Sequence, residues 1–424
     1  MEVKKTIEHS ITYTIHRGSN EIGGNCVELK AGNTKIIIDC GLPLNYDEQD
    51  QETQNKIHVD AQQWMQNCDA ILLSHYHADH YGLLSEAPKG TKLYTSKETA
   101  DLMTLSGIFG EDLTQHLDIR PLEGSIKVKD FTITIYPVDH SAYGASAFLL
   151  EVDNTSFLYS GDLRLHGKKG VLTYRLPQNI DYLILEGTNI GRCSSSKTEK
   201  DIENEFIEEF KAHPDTIPLV WCSSQNIDRI VALYRACRQS RRILAIDPYT
   251  ALVLGITNRS HSSIPTAKTH SELLIYYPHL LTTLLNKKDK KYIIDPYLKE
   301  KKLNTQTLMT HPGRFVLLFR PGLLDFAETY LENNTVRVIT SIWNEYWNTS
   351  KKDVLKLKNW IAAAPDKRSI GPDIHTSGHA DTESLQKIVN HIHPKHIIPI
   401  HTEHPESYET LFPGIPVLIA NKTL

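Results

Sequence analysis

At 424 residues, with 40% hydrophobic and 23% charged side chains, the chain is long enough for two ordinary domains, and its composition reads as that of a soluble, globular protein. A formal net charge of -5 argues against broad attraction to nucleic acid or anionic lipid, while leaving room for a local basic groove. Six cysteines (Cys26, Cys40, Cys68, Cys193, Cys222, Cys237) form no C-x-x-C pair, which suits reduced thiols in a cytoplasm and gives them no part in a zinc site. Met1 to Ser19 has no apolar core of the length a secretory signal needs. No apolar run approaches the roughly 20 residues of a membrane span, so a cytoplasmic protein without a membrane partner is expected.

Up to about Glu186 the chain reads as short strands bounded by Gly, Asn or Asp: Ile11–Ile15, Cys26–Leu29, Lys35–Asp39, Phe131–Tyr136, Ala147–Val152 and Ser156–Ser160. Turns such as Ala31-Gly32-Asn33 and Asp153-Asn154 would join them as hairpins, so an antiparallel sheet is predicted.

Between the third and fourth of these strands, the apolar run Ile71-Leu72-Leu73 ends at Ser74 and is followed by His75-Tyr76-His77-Ala78-Asp79-His80. In an extended segment alternation places His75 and His77 on one side of the backbone, so both can reach the same cation. A turn into a helix would carry Asp79 and His80 to a neighbouring point. Two adjacent metals are therefore expected, zinc by donor type, with manganese also compatible.

Three other strand ends add donors. Asp39 follows Ile36-Ile37-Ile38, His140 follows Pro137-Val138-Asp139, and Asp162 follows Ser160-Gly161. His140 would complete the first metal's nitrogens, Asp162 would bridge the two, and Asp39 would orient a ligand from behind. Taken singly, each has a blander explanation as a turn residue or a satisfied core group. Their order after H-x-H-x-D-H gives them weight.

Strand Tyr182–Leu185 delivers Glu186-Gly187-Thr188, after which the pattern changes. From Lys197 onward helices (Asp201–Lys211, Ile227–Cys237, Leu323–Leu331) alternate with strands (Ile217–Cys222, Ile243–Ile246, Arg314–Phe319, Val336–Thr340), which predicts parallel βαβ units and a doubly wound sheet. Asn286–Lys291 reads as a solvated loop. After Ile370-Gly371-Pro372, Thr376-Ser377-Gly378-His379-Ala380 leads into a helix capped by Asp381, and strand Ile397–Ile400 ends at His401. Recruitment of His401 to the metal site makes the alternating segment an insertion. Residues 1–190 and 370–424 then form one discontinuous domain and 191–369 another.

H-x-H-x-D-H at 75–80, with His140 and Asp162 after separate strands, resembles the metallo-β-lactamase fold, an αββα sandwich. The insertion after Asp162, with Glu186, His379 and His401, resembles the β-CASP branch of nucleases; Ser377-Gly378-His379-Ala380 and Pro399-Ile400-His401 are most similar to ribonuclease J and its relatives. The resemblance implies a metal-dependent ribonuclease with two divalent ions. His75, His77 and His140 would hold one, Asp79, His80 and His401 the other, with Asp162 shared. It implies that Glu186 pairs with His379 outside the metal shell, and that His401 favours RNA over DNA. Thr402 stands where a Gly is common and Gly187 where a Ser is common. The chain stops soon after His401, without the C-terminal domain that ribonuclease J uses in assembly, so oligomeric state is left open, a homodimer included.

The mechanism expected is in-line displacement at phosphorus with two ions about 3.5–4 Å apart. Asp79, His379 and Glu186 are the expected catalytic groups, His379 stabilising a phosphoryl oxygen or protonating the leaving group. Ser377, Gly378, Ser223 and Ser224 are candidate contacts to a single-stranded RNA backbone, the last two equally readable as a helix N-cap, while Arg235, Arg238, Arg241 and Arg242 read as solvated surface or as cations lining a cleft. Tyr76, Tyr143, Trp343 and Trp347 are candidates for base stacking. Competing readings are a DNA nuclease, a small-molecule hydrolase of the same fold, and a non-catalytic RNA-binding scaffold.

Overall fold

Ile11, Tyr13 and Ile15 are buried while the residues between them are partly exposed, so Ile11–Arg17 is a strand with one face in a core. It is β1 of a computed structural model that describes residues 11–192, 197–260, 263–293, 299–419 and 422–423; Met1 to Ser10 and Cys193 lie outside these. There follow β2 (Cys26–Ala31), β3 (Thr34–Ile38), β4 (Ala70–Leu72), β5 (Lys92–Thr95), β6 (Asp118–Pro121), β7 (Ser125–Val128), β8 (Phe131–Pro137), β9 (Ser146–Val152), β10 (Thr155–Tyr159) and β11 (Tyr182–Glu186). The inserted stretch carries β12 (Ile217–Trp221), β13 (Ile243–Ile246), β14 (Leu273–Ile275), β15 (Phe315–Phe319), β16 (Val336–Thr340) and β17 (Arg368–Asp373). The chain then ends with β18 (His396–Ile400) and β19 (Lys422–Thr423).

Two compact units result: Met1–Met103, Asp112–Ser195 and Gly378–Leu424 form the first, and Thr104–Glu111 with Ser196–Ser377 the second. The chain re-enters the first unit at Gly378 rather than at 370, because β17 is hydrogen-bonded to β16 in the second unit's sheet.

The first unit contains two sheets, ordered β19-β1-β2-β3-β4-β5-β6 and β18-β11-β10-β9-β8-β7. The expected antiparallel pairing holds for the strands read from the sequence, β1 to β3 and β8 to β10, but they fall in two sheets rather than one, and both sheets are mixed. Strands β3 to β6 run parallel, as do β10, β11 and β18. Parallel neighbours need a crossover, and the helices Gln51–Met65 and Lys97–Phe109 lie in two of those connections. Facing residues of the two sheets, among them Val27, Leu29, Ile36, Ile38, Phe148, Phe157 and Ile398, share one core. Outside the second sheet, Leu385, Ile388, Val389 and Ile392 of helix Thr382–Ile392 pack on Leu158, Leu183, Leu185 and Ile397. Each such side chain contributes on the order of 1.5–3 kcal/mol by burial. Asp381 caps this helix as its position predicts, accepting from the Ser384 amide at 2.8 Å.

In the second unit the six strands run parallel in the order β14-β13-β15-β12-β16-β17. Every residue of β12 and β15 is buried, as a parallel sheet covered on both faces requires. Among the described residues, no helix is long and apolar enough to cross a membrane.

One polar cluster on the first sheet sets an acid sensitivity. Glu28 lies 3.2 Å from His16 and 2.9 Å from Lys35, and these partners, against the opposing effect of burial, pull its carboxyl down to about 2. A depressed pKa contributes stability above the unfolded value of about 4.5 that is lost as pH falls towards 2. Glu28→Gln should therefore lower unfolding free energy at pH 7 by about 1–2 kcal/mol. Denaturant titrations of the two proteins should converge at acid pH.

Candidate metal centre

Parallel pairing brings the carboxyl ends of β10, β11 and β18 together, and β8 shares their direction because both β8 and β10 are antiparallel to β9. His140 lies beyond β8, Asp162 beyond β10, Glu186 at the end of β11 and His401 just past β18. From the other sheet, Asp39 follows β3 and Ser74-His75 follow β4, after which the short helix Ala78–Tyr81 carries Asp79 and His80. Cys40–Gly41 passes so close beneath this turn that a Cβ at Gly41 would stand 1.8 Å from the Asp79 carbonyl oxygen, so glycine is required there.

All seven expected ligands converge. Asp162 Oδ2 lies 3.0 Å from His80 Nε2, 3.6 Å from His75 Nε2, and 3.9 Å from both His140 Nε2 and His401 Nε2. His140 Nε2 is 3.2 Å from His77 Nδ1, and His401 Nε2 is 3.2 Å from Asp79 Oδ2. His75, His77 and His140 thus form one group able to hold an ion, and Asp79, His80 and His401 another. His75 Nε2, His80 Nε2 and Asp162 Oδ1 are buried and make no hydrogen bond among the described residues. Stranding three such atoms in a protein interior is costly unless something else binds them. Nitrogen and carboxylate donors at this spacing fit divalent cations of the zinc type.

Hydrogen bonds behind the donors fix which nitrogen faces inward. Asp39 accepts from the Ser74 amide (2.8 Å), the Ser74 hydroxyl (2.8 Å), the Tyr159 hydroxyl (2.8 Å) and His80 Nδ1 (2.8 Å), leaving His80 Nε2 for the site. Ser74 Oγ stands 3.0 Å from His75 Nδ1, and His140 Nδ1 donates to the Gly378 carbonyl at 2.6 Å. Such outer partners raise ligand basicity and hold ring orientation. Asp39→Ala should therefore weaken metal binding about 10–100-fold, as competition with a chromogenic chelator would show. Asp39 and His401 both have positive φ, 56° and 53°, a backbone state tolerated by Asp and His better than by branched residues.

The electrostatics follow from burial and neighbours. Burial, reinforced by neighbouring imidazoles, holds His75 and His140 well below the usual histidine range, and burial brings His77 down to about 4, so these rings are neutral, the form that ligates. Burial opposes charge on His80 too, but Asp162, Asp79 and Asp39 raise it well above the usual value. Asp79 and Asp162 are held below the carboxylate range despite burial, His80 and His401 acting on both.

His379 stands beside this cluster with its side chain 19% exposed. Its Nδ1 is 3.4 Å from Glu186 Oε2 and 3.8 Å from Asp162 Oδ2. Burial lowers its pKa, but the carboxylates of Glu186 and Asp162 outweigh burial and raise it. Gly187 is explained locally: a Cβ there would meet the Tyr408 hydroxyl at 2.1 Å, and that hydroxyl donates to the Leu185 carbonyl. Thr402 is buried and accepts from the His404 amide at 3.1 Å.

Other expectations fare differently. Ser223 and Ser224 belong to the second unit, and the buried Ser224 hydroxyl is bonded to Thr250 at 2.8 Å. Ser377 ends that unit, while Gly378 begins the return and uses its carbonyl to orient His140. Arg242 is no cleft cation: it is buried and donates to the carbonyls of Thr216, Phe210 and His213. Arg235, Arg238 and Arg241 are exposed. Tyr76 is buried, its hydroxyl accepting from the Tyr143 amide, which removes it as a base-stacking platform. Trp343 is 37% exposed beside Tyr346, and Trp347 packs partly on the second core.

Residues 34–216 match the β-lactamase superfamily domain. The chain thus carries a metallo-β-lactamase domain. Residues 373–410 match a Zn-dependent metallo-hydrolase RNA specificity domain. A Methanocaldococcus jannaschii RNase J-like protein is 28% identical over 217 residues, 46% of this chain and 46% of that protein, so the match spans less than half of the relative's length. A Mycoplasma genitalium ribonuclease J is 23% identical over 411 residues, covering 91% of this chain and 67% of that one. In fold, the chain is similar to a solved protein of unknown function from Enterococcus faecalis V583, with a TM-score of 0.74 at 20% identity over 98% of this chain and 100% of that one.

Proposed function

We propose that this protein is a metal-dependent ribonuclease of the β-CASP branch that hydrolyses phosphodiester bonds of single-stranded RNA at a dinuclear centre, with zinc as the ion and manganese as a substitute. His75, His77 and His140 hold one ion, Asp79, His80 and His401 the other, and Asp162 both; the second unit is the inserted β-CASP domain. The observation that carries this reading is Asp162 Oδ2 within 3.9 Å of five imidazole nitrogens, those of His75, His80, His140 and His401 together with His379, the first two buried without a hydrogen bond. The match to an RNA specificity domain at 373–410, together with relatives named ribonucleases, supports RNA as substrate.

Bound divalent ions supply an activated water and neutralise charge on the phosphoryl oxygens. The chain's own groups do the rest. Asp39 and Ser74 hold His80 and His75 with Nε2 inward. Glu186 faces Nδ1 of His379, which leaves that ring's other nitrogen to pass a proton to the leaving oxygen as its bond to phosphorus breaks. In this reading Ser377 and Gly378, which precede His379 in the chain, contact the RNA backbone.

The test is digestion of matched RNA and DNA strands, labelled at either end and carrying 5′ monophosphate or triphosphate, with zinc or manganese. RNA cleavage abolished by chelator and restored by metal is expected. Cleavage of DNA alone, or chelator-resistant cleavage, would overturn the proposal.

A further inference from the structure

Beside Glu186 sits the hydroxyl of Thr188. Thr188 Oγ1 lies 2.7 Å from Glu186 Oε2, 2.7 Å from His401 Nδ1 and 3.0 Å from His379 Nδ1, and Thr188 is buried at 6% exposure. A hydroxyl has one proton to give and two lone pairs to receive with. An ionised carboxylate only accepts, so the Thr188 proton goes to Glu186. The two imidazoles can then bond this oxygen only as donors. The count closes with one bond given and two received.

We propose that Thr188 is a positioning residue that sets the tautomer of two histidines at once. By receiving from His401 Nδ1–H it leaves His401 Nε2 as a lone pair turned towards Asp79, 3.2 Å away, the form a metal ligand needs. By receiving from His379 Nδ1–H it holds that ring beside Glu186. The backbone supports the arrangement, since the Thr188 amide also donates to Glu186 Oε2 at 3.0 Å. Asp39 performs the same task for His80, so each of these two histidines has a dedicated outer acceptor, and the one for His401 is shared with His379. The inference rests on the proposed dinuclear ribonuclease and adds the residue that couples its ion-binding and proton-donating halves.

The experiment compares wild type, Thr188→Val and Thr188→Ser. Zinc stoichiometry and affinity are read by calorimetry on chelator-stripped protein, and RNA turnover is measured on the same preparations. Valine keeps the volume but removes the hydroxyl. Expected is one site weakened about 10–100-fold in the valine variant, in the range found for outer-shell partners, with kcat reduced and KM little changed. Serine, which restores the oxygen, should recover both. Unaltered zinc binding in the valine variant, or a serine variant as impaired as valine, overturns the inference while leaving the ribonuclease reading intact. A wild-type protein that binds no zinc overturns both. Circular dichroism melts of all three separate a folding defect from either result, and a serine variant that folds but binds zinc as poorly as valine counts against the inference.

Discussion

His379→Ala retains the full complement of divalent metal and loses about 10²–10⁴-fold in turnover. The expectation follows from where the ring stands. Its Nδ1 faces Glu186 at 3.4 Å, and in the proposed ligand sets neither ion depends on it. Its 19% exposure contrasts with 0–1% for the His75, His80, His140 and His401 side chains, so substrate can reach it. Single-turnover cleavage with metal content measured on the same preparation checks this. Loss of metal in the alanine variant would show His379 to be a ligand, an assignment the group His140, Asp162 and His379 would then explain.

Asp162→Ala has a larger expected effect, because it removes the one carboxylate central to both sets of nitrogens. His75, His80, His140 and His401 would lose their common anionic neighbour, leaving buried imidazoles facing one another. Metal affinity should fall by more than the roughly 100-fold that bounds outer-shell substitutions, and turnover should become undetectable. The variant's fold should survive, since the two sheets are held by the apolar core rather than by this carboxylate. Elemental analysis after dialysis, paired with a thermal melt, reads both halves of this result. An Asp162→Ala protein that keeps both ions would remove the shared-ligand assignment.

Much of the site was legible because its chemistry is concentrated in a few polar residues placed directly after apolar strands. H-x-H-x-D-H announces itself by spacing, and Asp39, His140, Asp162, Glu186 and His401 each sit at a strand end that the apolar runs locate. Thr188 was not singled out, because a threonine after a strand has many uses and only three measured distances distinguish this one. The proximity of Thr188 to Glu186 in the chain was the available signal. The parallel part of the first sheet was missed for a related reason. Helix Gln51–Met65 buries only Ile57, Ala61 and Met65 among polar neighbours, so its apolar stripe is thin and the crossover it forms was not visible. The second unit was easier, since fully apolar strands alternate there with strongly amphipathic helices such as Ile227–Gln239. Arg242 alone among the four arginines departs from its sequence reading: it reads as a surface cation, yet it is buried against three backbone carbonyls.

The most direct measurement is anomalous scattering at the zinc edge from crystals of the metal-loaded protein. Two peaks about 3.5–4 Å apart are predicted, one among His75, His77 and His140 and one among Asp79, His80 and His401, with Asp162 reaching both. A single peak, or none, in the presence of full RNA cleavage would contradict the account.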